Sequence, residues 1–157
     1  MSDKVLMTVE VAAARRYIAL FIVGLLGALL LFLGFSVQGD FFGRVFLVIS
    51  GVFCLWGMMR MYAATGTVLE LTETELRQGD GEVLAMMDDI KKIERGVFAF
   101  KPSNGFIVVL KTSKQRAWRP GLWWRLGKRV GVGGITNAGQ NKAMSEFLMV
   151  ALNNRDN

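Results

Sequence analysis

The chain has 157 residues, 52% of them hydrophobic, and a formal net charge of +6. That length holds one ordinary domain or a short membrane unit with a compact soluble module, and the charge favours anionic partners: lipid headgroups, nucleic acid or acidic protein. Histidine is absent and Cys54 is the only cysteine, which excludes an intrachain disulfide and removes the commonest general base and nitrogen ligand for a metal.

Hydrophobic residues are unevenly spread, with nearly all long apolar runs before Thr65 and most charges after it. Residues 1–16 read as a short N-terminal segment ending in Arg15 and Arg16. From Tyr17 to Val37 no residue is charged, a run of the length that spans a hydrocarbon core as a helix. A second apolar segment covers about 44–64; Arg60 near its end can snorkel to the headgroups, and Trp56 and Tyr62 suit the same interface. Gln38–Gly43 is too short a link for anything but an antiparallel hairpin. The hairpin over 17–64 therefore puts both chain ends on one side. Arg15, Arg16, Arg60 and the basic remainder place that side in the cytoplasm by the positive-inside rule, in a multi-pass protein of the cell inner membrane. The apolar stretch is too long for a cleaved signal peptide, and no A-x-A-like site follows it. Gly24 with Ala28, and Gly51 with Gly57, are expected to let the two helices approach closely.

Residues 65–157 change character, to short alternating runs between turn residues. Strands are expected over Thr67–Thr72, Glu75–Gln78, Glu82–Met87, Val97–Lys101 and Phe106–Lys111. Arg116–Arg119 and the region around Arg129–Gly133 complete the series. Asp89–Arg95 forms a bend or a further short strand, and turns fall at Gly79–Gly81 and Pro102–Gly105. Pro120–Arg125 reads as a loop carrying Trp123 and Trp124. A final helix begins after Asn137 as cap, with Met144, Phe147, Leu148, Ala151 and Leu152 forming one apolar stripe.

The segments Leu69-Glu-Leu-Thr-Glu-Thr-Glu-Leu and Val83-Leu-Ala-Met-Met-Asp-Asp-Ile-Lys-Lys-Ile, with Ile135-Thr-Asn before the last helix, carry a resemblance. Two apolar spans followed by this order is similar to bacterial pleckstrin-homology-like membrane proteins, Asp89–Ile90 matching the family's Asp-Ile pair and Met87 standing where an aromatic residue is usual. The resemblance implies an α+β fold, a small antiparallel split β-barrel capped by a C-terminal helix. It implies no particular activity.

Chemistry-bearing sets are sparse. Asp88 and Asp89 are neighbours that a strand would turn to opposite faces, so a solvated turn is expected there rather than a metal site. Gly121–Arg129 is not a phosphate loop, and Gly131-Val-Gly-Gly is not a dinucleotide fingerprint. No catalytic residue, metal ligand or cofactor is assigned, and a binding role without enzyme activity is expected. Its candidate surface comes from a charge asymmetry: no acidic residue lies between Glu94 and Glu146. Lys114, Arg116, Trp118, Arg119, Trp123, Trp124, Arg125, Lys128 and Arg129 form the densest basic, tryptophan-bearing part of that span. Such a surface suits anionic headgroups or an acidic protein next to the membrane, and no nucleic-acid motif accompanies it. The rival expectation is an accessory or assembly subunit, or a homo-oligomer, with the hairpin as its interface.

Overall fold

In a computed structural model, residues 4–95 and 102–156 are described. The expected strand at Val97–Lys101 lies outside them. The chain divides into two compact units, one made of residues 13–63 and the other of residues 1–12 together with 64–157.

The first unit is a helical pair, α1 (Ala13–Ser36) and α2 (Phe41–Ala64), each of 24 residues. Both are long and apolar enough to cross a membrane, and only 17% and 6% of their most apolar windows are buried. α1 starts earlier than expected, so Arg15 and Arg16 sit in its first turn. Asp40 caps α2, its carboxylate accepting from the Gly43 amide at 2.8 Å. Leu20, Gly27 and Gly34 are the buried positions of α1, seven residues apart, the spacing of a left-handed helix pair. A Cβ on Gly27 would lie 2.9 Å from Leu55, and one on Gly51 2.8 Å from Leu31. The close approach therefore runs through Gly24, where a Cβ would lie 2.7 Å from Met58 Sδ, and through Gly27, Gly34 and Gly51, while Gly57 has no neighbour within 4 Å. Arginine ties each end of the pair. Arg16 donates to Tyr62 O at 3.1 Å, and Arg44 to Gly34 O at 3.3 Å.

Among the described residues, the second unit holds seven strands and one α-helix. β1 (Val5–Val9), β2 (Leu69–Thr72), β3 (Glu75–Gln78) and β4 (Val83–Met86) form an antiparallel sheet in that order. β5 (Ile90–Glu94), β6 (Phe106–Arg119) and β7 (Trp123–Val132) form a second. α3 (Ala138–Asp156) ends the chain. β1 had no counterpart in the sequence reading; it pairs with β2 through Val9↔Leu69 and Thr8↔Glu70. The helical pair is thus inserted between two hydrogen-bonded strands.

β6 and β7 differ most from expectation. Phe106–Lys111 and Arg116–Arg119 belong to one strand, and the loop expected at Pro120–Arg125 shrinks to a turn. Pro120 and Gly121 (φ 81°) occupy the turn's centre, and the Leu122 amide donates to Arg119 O at 3.1 Å, the geometry that asks for Pro then Gly. Trp123, Trp124 and Arg125 are strand residues. The β6–β7 ribbon also folds over on itself. Gly133 N donates to Leu122 O at 3.0 Å, so the two ends of β7 meet, although ten extended residues would span about 33 Å. The corner is Gly127 (φ 59°), paired with Lys114 where the register slips.

One half of the ribbon stays in the second sheet and the other lies along β4. No backbone ladder joins β4 to β7, so the two sheets do not close into a continuous barrel. α3 packs against both β5 and β1, and one core forms from both sheets and the helix, including Leu69, Leu76, Ile90, Phe106, Trp123, Met144 and Leu148. Phe147 departs from the expected stripe: it is 41% exposed, and Asn141 and Ser145 are buried on the inner face instead.

Candidate functional site: a basic ribbon at one pole of the strand unit

Register gives the strand unit two poles. Val9, Leu69 and Gln78 align at one, and Val5, Thr72, Glu75 and Met86 at the other. The first is also where the chain leaves for the helical pair, because Ala12 N donates to Ile135 O at 3.0 Å and Thr65 lies beside Gly121. The N-terminal end of α3 belongs to this attachment pole, since Asn137 N donates to Glu10 O at 3.0 Å. The C-terminal end belongs to the far pole, where Arg155 donates to Met87 O and Ile90 O at 2.8 and 2.9 Å.

The ribbon corner lies at the far pole. Lys111 donates to Asp88 O at 2.8 Å, and the Thr112 amide and hydroxyl donate to Asp89 at 3.0 and 2.7 Å. Lys114 pairs with the same carboxylate at 3.5 Å. Burial works to raise the Asp89 carboxyl, but the Thr112 bonds and the Lys114 charge outweigh it and hold it below the usual carboxylate value. Asp89 is therefore a bracket for the corner rather than a solvated turn residue.

The nine residues singled out in the sequence separate into three groups. Trp123 is 1% exposed, and its indole donates to Gln78 Oε1 at 2.7 Å inside the core. Arg119 pairs with Glu82, and Arg125 donates to Val83 O and Leu84 O at 2.8 and 3.3 Å while lying over the Trp123 ring. These three hold the ribbon to β3 and β4. Lys114 is committed to Asp89, and Arg129 stands 4.0 Å from Glu94. Glu94 is itself held below the usual carboxylate value by the Lys92 hydrogen bond, against the cost of burial, with the Lys92 and Arg129 charges adding to the effect. Trp124 folds over Gly131, where a Cβ would lie 2.3 Å from the indole.

Arg116, Trp118 and Lys128 remain on the outer surface. Trp118 is 55% exposed, and so is a residue the sequence did not single out, Leu126, at 53%. Leu126 lies opposite the bulged stretch between Lys114 and Ala117. Among the described residues, Arg116 and Lys128 have no ion-pair partner. Two unengaged cations and two exposed apolar side chains thus lie on the outer surface of the ribbon, Leu126 and Lys128 beside the corner and Trp118 toward the Pro120–Gly121 turn. No cluster of His, Cys, Asp and Glu fit to hold a metal occurs among the described residues. Gln78, Glu82 and the carbonyls of β4, which decide the fate of Trp123, Arg119 and Arg125, left no signal in the local sequence. No protein-family model, curated protein or solved structure matches this chain.

Proposed function

We propose that this chain is a non-enzymatic binding module anchored in a bacterial inner membrane by α1 and α2, with both termini cytoplasmic and a pleckstrin-homology-like strand unit. The support for the fold assignment is the order of four strands, three strands and a terminal helix, with Asp89–Ile90 at the join between the sheets. Support for the anchor is the length of α1 and α2 and the exposure of Phe21, Phe42, Phe46 and Phe53 on them. The register Val9↔Leu69 ties both ends of the pair to one place, as a hairpin entering and leaving one face of a bilayer requires. Support for the orientation is Arg15, Arg16 and Arg60 at those ends, read by the positive-inside rule.

The module's ligand is an acidic protein surface, held by Arg116 and Lys128 with Trp118 and Leu126 as apolar contacts. One observation carries this choice: Arg116 and Lys128, which have no ion-pair partner among the described residues, lie on the outer surface of the ribbon together with two exposed apolar side chains, Trp118 at 55% and Leu126 at 53%, the mix of charge and apolar area that suits a protein interface.

The test is titration of the full-length chain in nonionic detergent with an oligo-glutamate peptide, read by tryptophan fluorescence. Saturable, salt-sensitive binding that shifts the emission and is lost in Trp118→Phe is expected. The double variant Arg116→Gln/Lys128→Gln should bind about tenfold more weakly or worse. Equal binding by the double variant overturns the assignment.

A further inference from the structure

Away from the ribbon, the strand unit contains a cavity of about 200 Å³ lined by polar groups, among them Arg95, Asn104, Asn141, Lys142 and Ser145. It lies on the attachment pole. Gly105, also in its wall, sits where a Cβ would meet the Val132 carbonyl, and Ala138 opens α3 directly after the Asn137–Glu10 contact. Asn141 is 1% exposed. Its Nδ2 donates to Asn104 O at 2.8 Å and to Thr136 Oγ1 at 2.6 Å, while its buried Oδ1 has no hydrogen-bond partner. Buried acceptors are nearly always satisfied, and an orphan next to a polar cavity calls for a donor that the protein does not supply.

The cations complete the chemistry. Lys142 is exposed and has no ion-pair partner among the described residues. Arg95 pairs with Glu146 at 3.3 Å, and Glu146 is not part of the cavity wall. Two cations beside an orphan acceptor fit a ligand that is anionic at one atom group and donates a hydrogen bond at another.

We infer that this cavity binds a phosphate diester bearing a free hydroxyl, a glycerophosphate-type headgroup. Arg95 and Lys142 hold the phosphate and Asn141 Oδ1 accepts from the hydroxyl. Such a group is present in a hydroxyl-bearing anionic phospholipid and in soluble glycerophosphates. The membrane reading bears on which source supplies it, not on the site's chemistry. The cavity is separate from the ribbon patch, so each can fail alone.

The experiment is calorimetric titration of the full-length chain in nonionic detergent with dioctanoyl phosphatidylglycerol. Dioctanoyl phosphatidic acid, dioctanoyl phosphatidylcholine and glycerophosphoglycerol serve as comparators. Phosphatidylglycerol is expected to bind about tenfold tighter than phosphatidylcholine, and Lys142→Gln to weaken it about fivefold. Phosphatidic acid, which lacks the glycerol hydroxyls, should bind more weakly than phosphatidylglycerol. Arg95→Gln should act like Lys142→Gln; if it unfolds through loss of the Glu146 pair, the exposed Lys142 still decides. Arg116→Gln/Lys128→Gln should leave phosphatidylglycerol binding unchanged. Tight binding of glycerophosphoglycerol keeps the site and makes its ligand soluble, whereas lipid-only binding keeps it and makes the bilayer the source. Equal binding of phosphatidylglycerol by wild type and Lys142→Gln overturns the inference, as does a loss seen only in the ribbon variant.

Discussion

The Arg125 guanidinium donates to the Val83 carbonyl at 2.8 Å, across the gap where β4 and β7 share no backbone ladder. A second bond reaches Leu84 O at 3.3 Å, and Arg125 Nε donates to Gln115 O on β6 at 2.8 Å. One side chain thus satisfies edge carbonyls that a barrel strand would otherwise engage, and fixes the outer half of the ribbon against β4.

Arg125→Met should therefore destabilise the strand unit by about 1–3 kcal/mol, because it leaves part-buried carbonyls unpaired. Arg125→Lys should recover only part of this, since an ammonium lacks the planar fork that serves three acceptors. Denaturant unfolding of the full chain in detergent, followed by tryptophan emission, measures both. Equal stability of wild type and Arg125→Met would show that the carbonyls are satisfied by water and that the staple is incidental.

Trp123→Phe tests the companion contact. It keeps the aromatic bulk but removes the donor to Gln78 Oε1, so a loss of about 1–3 kcal/mol is expected. Trp123→Phe with Gln78→Leu removes both partners and should be less destabilised than the sum of the two single changes, the mark of a shared bond. Additive losses would remove the bond from the account.

How far the sequence was legible follows from these residues. Elements with a period written in the chain were recoverable: the two apolar spans, the short strands between turn residues, and the helix after Asn137, whose side chain accepts from the Gly139 and Gln140 amides. β1 was invisible because Val5–Val9 is a short edge strand whose partner lies across the inserted helical pair. The basic tryptophan-bearing segment was found as a composition, but its division was not. Trp123 turns inward and Trp118 outward because the Pro120–Gly121 turn keeps both in strands, and period two then separates them. Which arginines are engaged depends on Glu82 and the β4 carbonyls, brought alongside only when the ribbon bends at Gly127. Asn141 was hidden for a simpler reason: it shares the inner face of α3 with Ser145, and polar residues on that face have no hydrophobic period of their own.

Asp89 gives a pH dependence with a definite sign. Its folded carboxyl lies below the usual value, so its contribution is present above the ordinary carboxylate range near pH 4 and is lost as pH falls through the lowered folded value. Asp89→Asn should flatten the acid limb of the stability curve, with most of its cost visible above pH 5. An unchanged acid limb in Asp89→Asn, measured by thermal unfolding between about pH 2 and pH 7, would contradict the bracket role of Asp89.

The insertion of the helical pair between β1 and β2 predicts how the strand unit can be isolated. Residues 65–157 alone lack β1 and uncover the core around Leu69 and Leu71, which Val9 helps to close. That fragment should remain unfolded or aggregate. Residues 4–12 joined to 64–156 by a short Gly/Ser linker should fold, with dispersed amide resonances and a cooperative thermal transition. A well-folded 65–157 fragment would make β1 dispensable.

The measurement that bears most directly on the central claim is whether the outer surface of the ribbon touches lipid. Full-length chain carrying Cys54→Ala would receive one fluorophore through Lys128→Cys, and would then be placed in nanodiscs whose lipid headgroups bear a nitroxide quencher. Little quenching at position 128 is the predicted result, leaving the ribbon free for an acidic partner. Strong quenching there would contradict it and make the basic ribbon the surface that lies on the lipid.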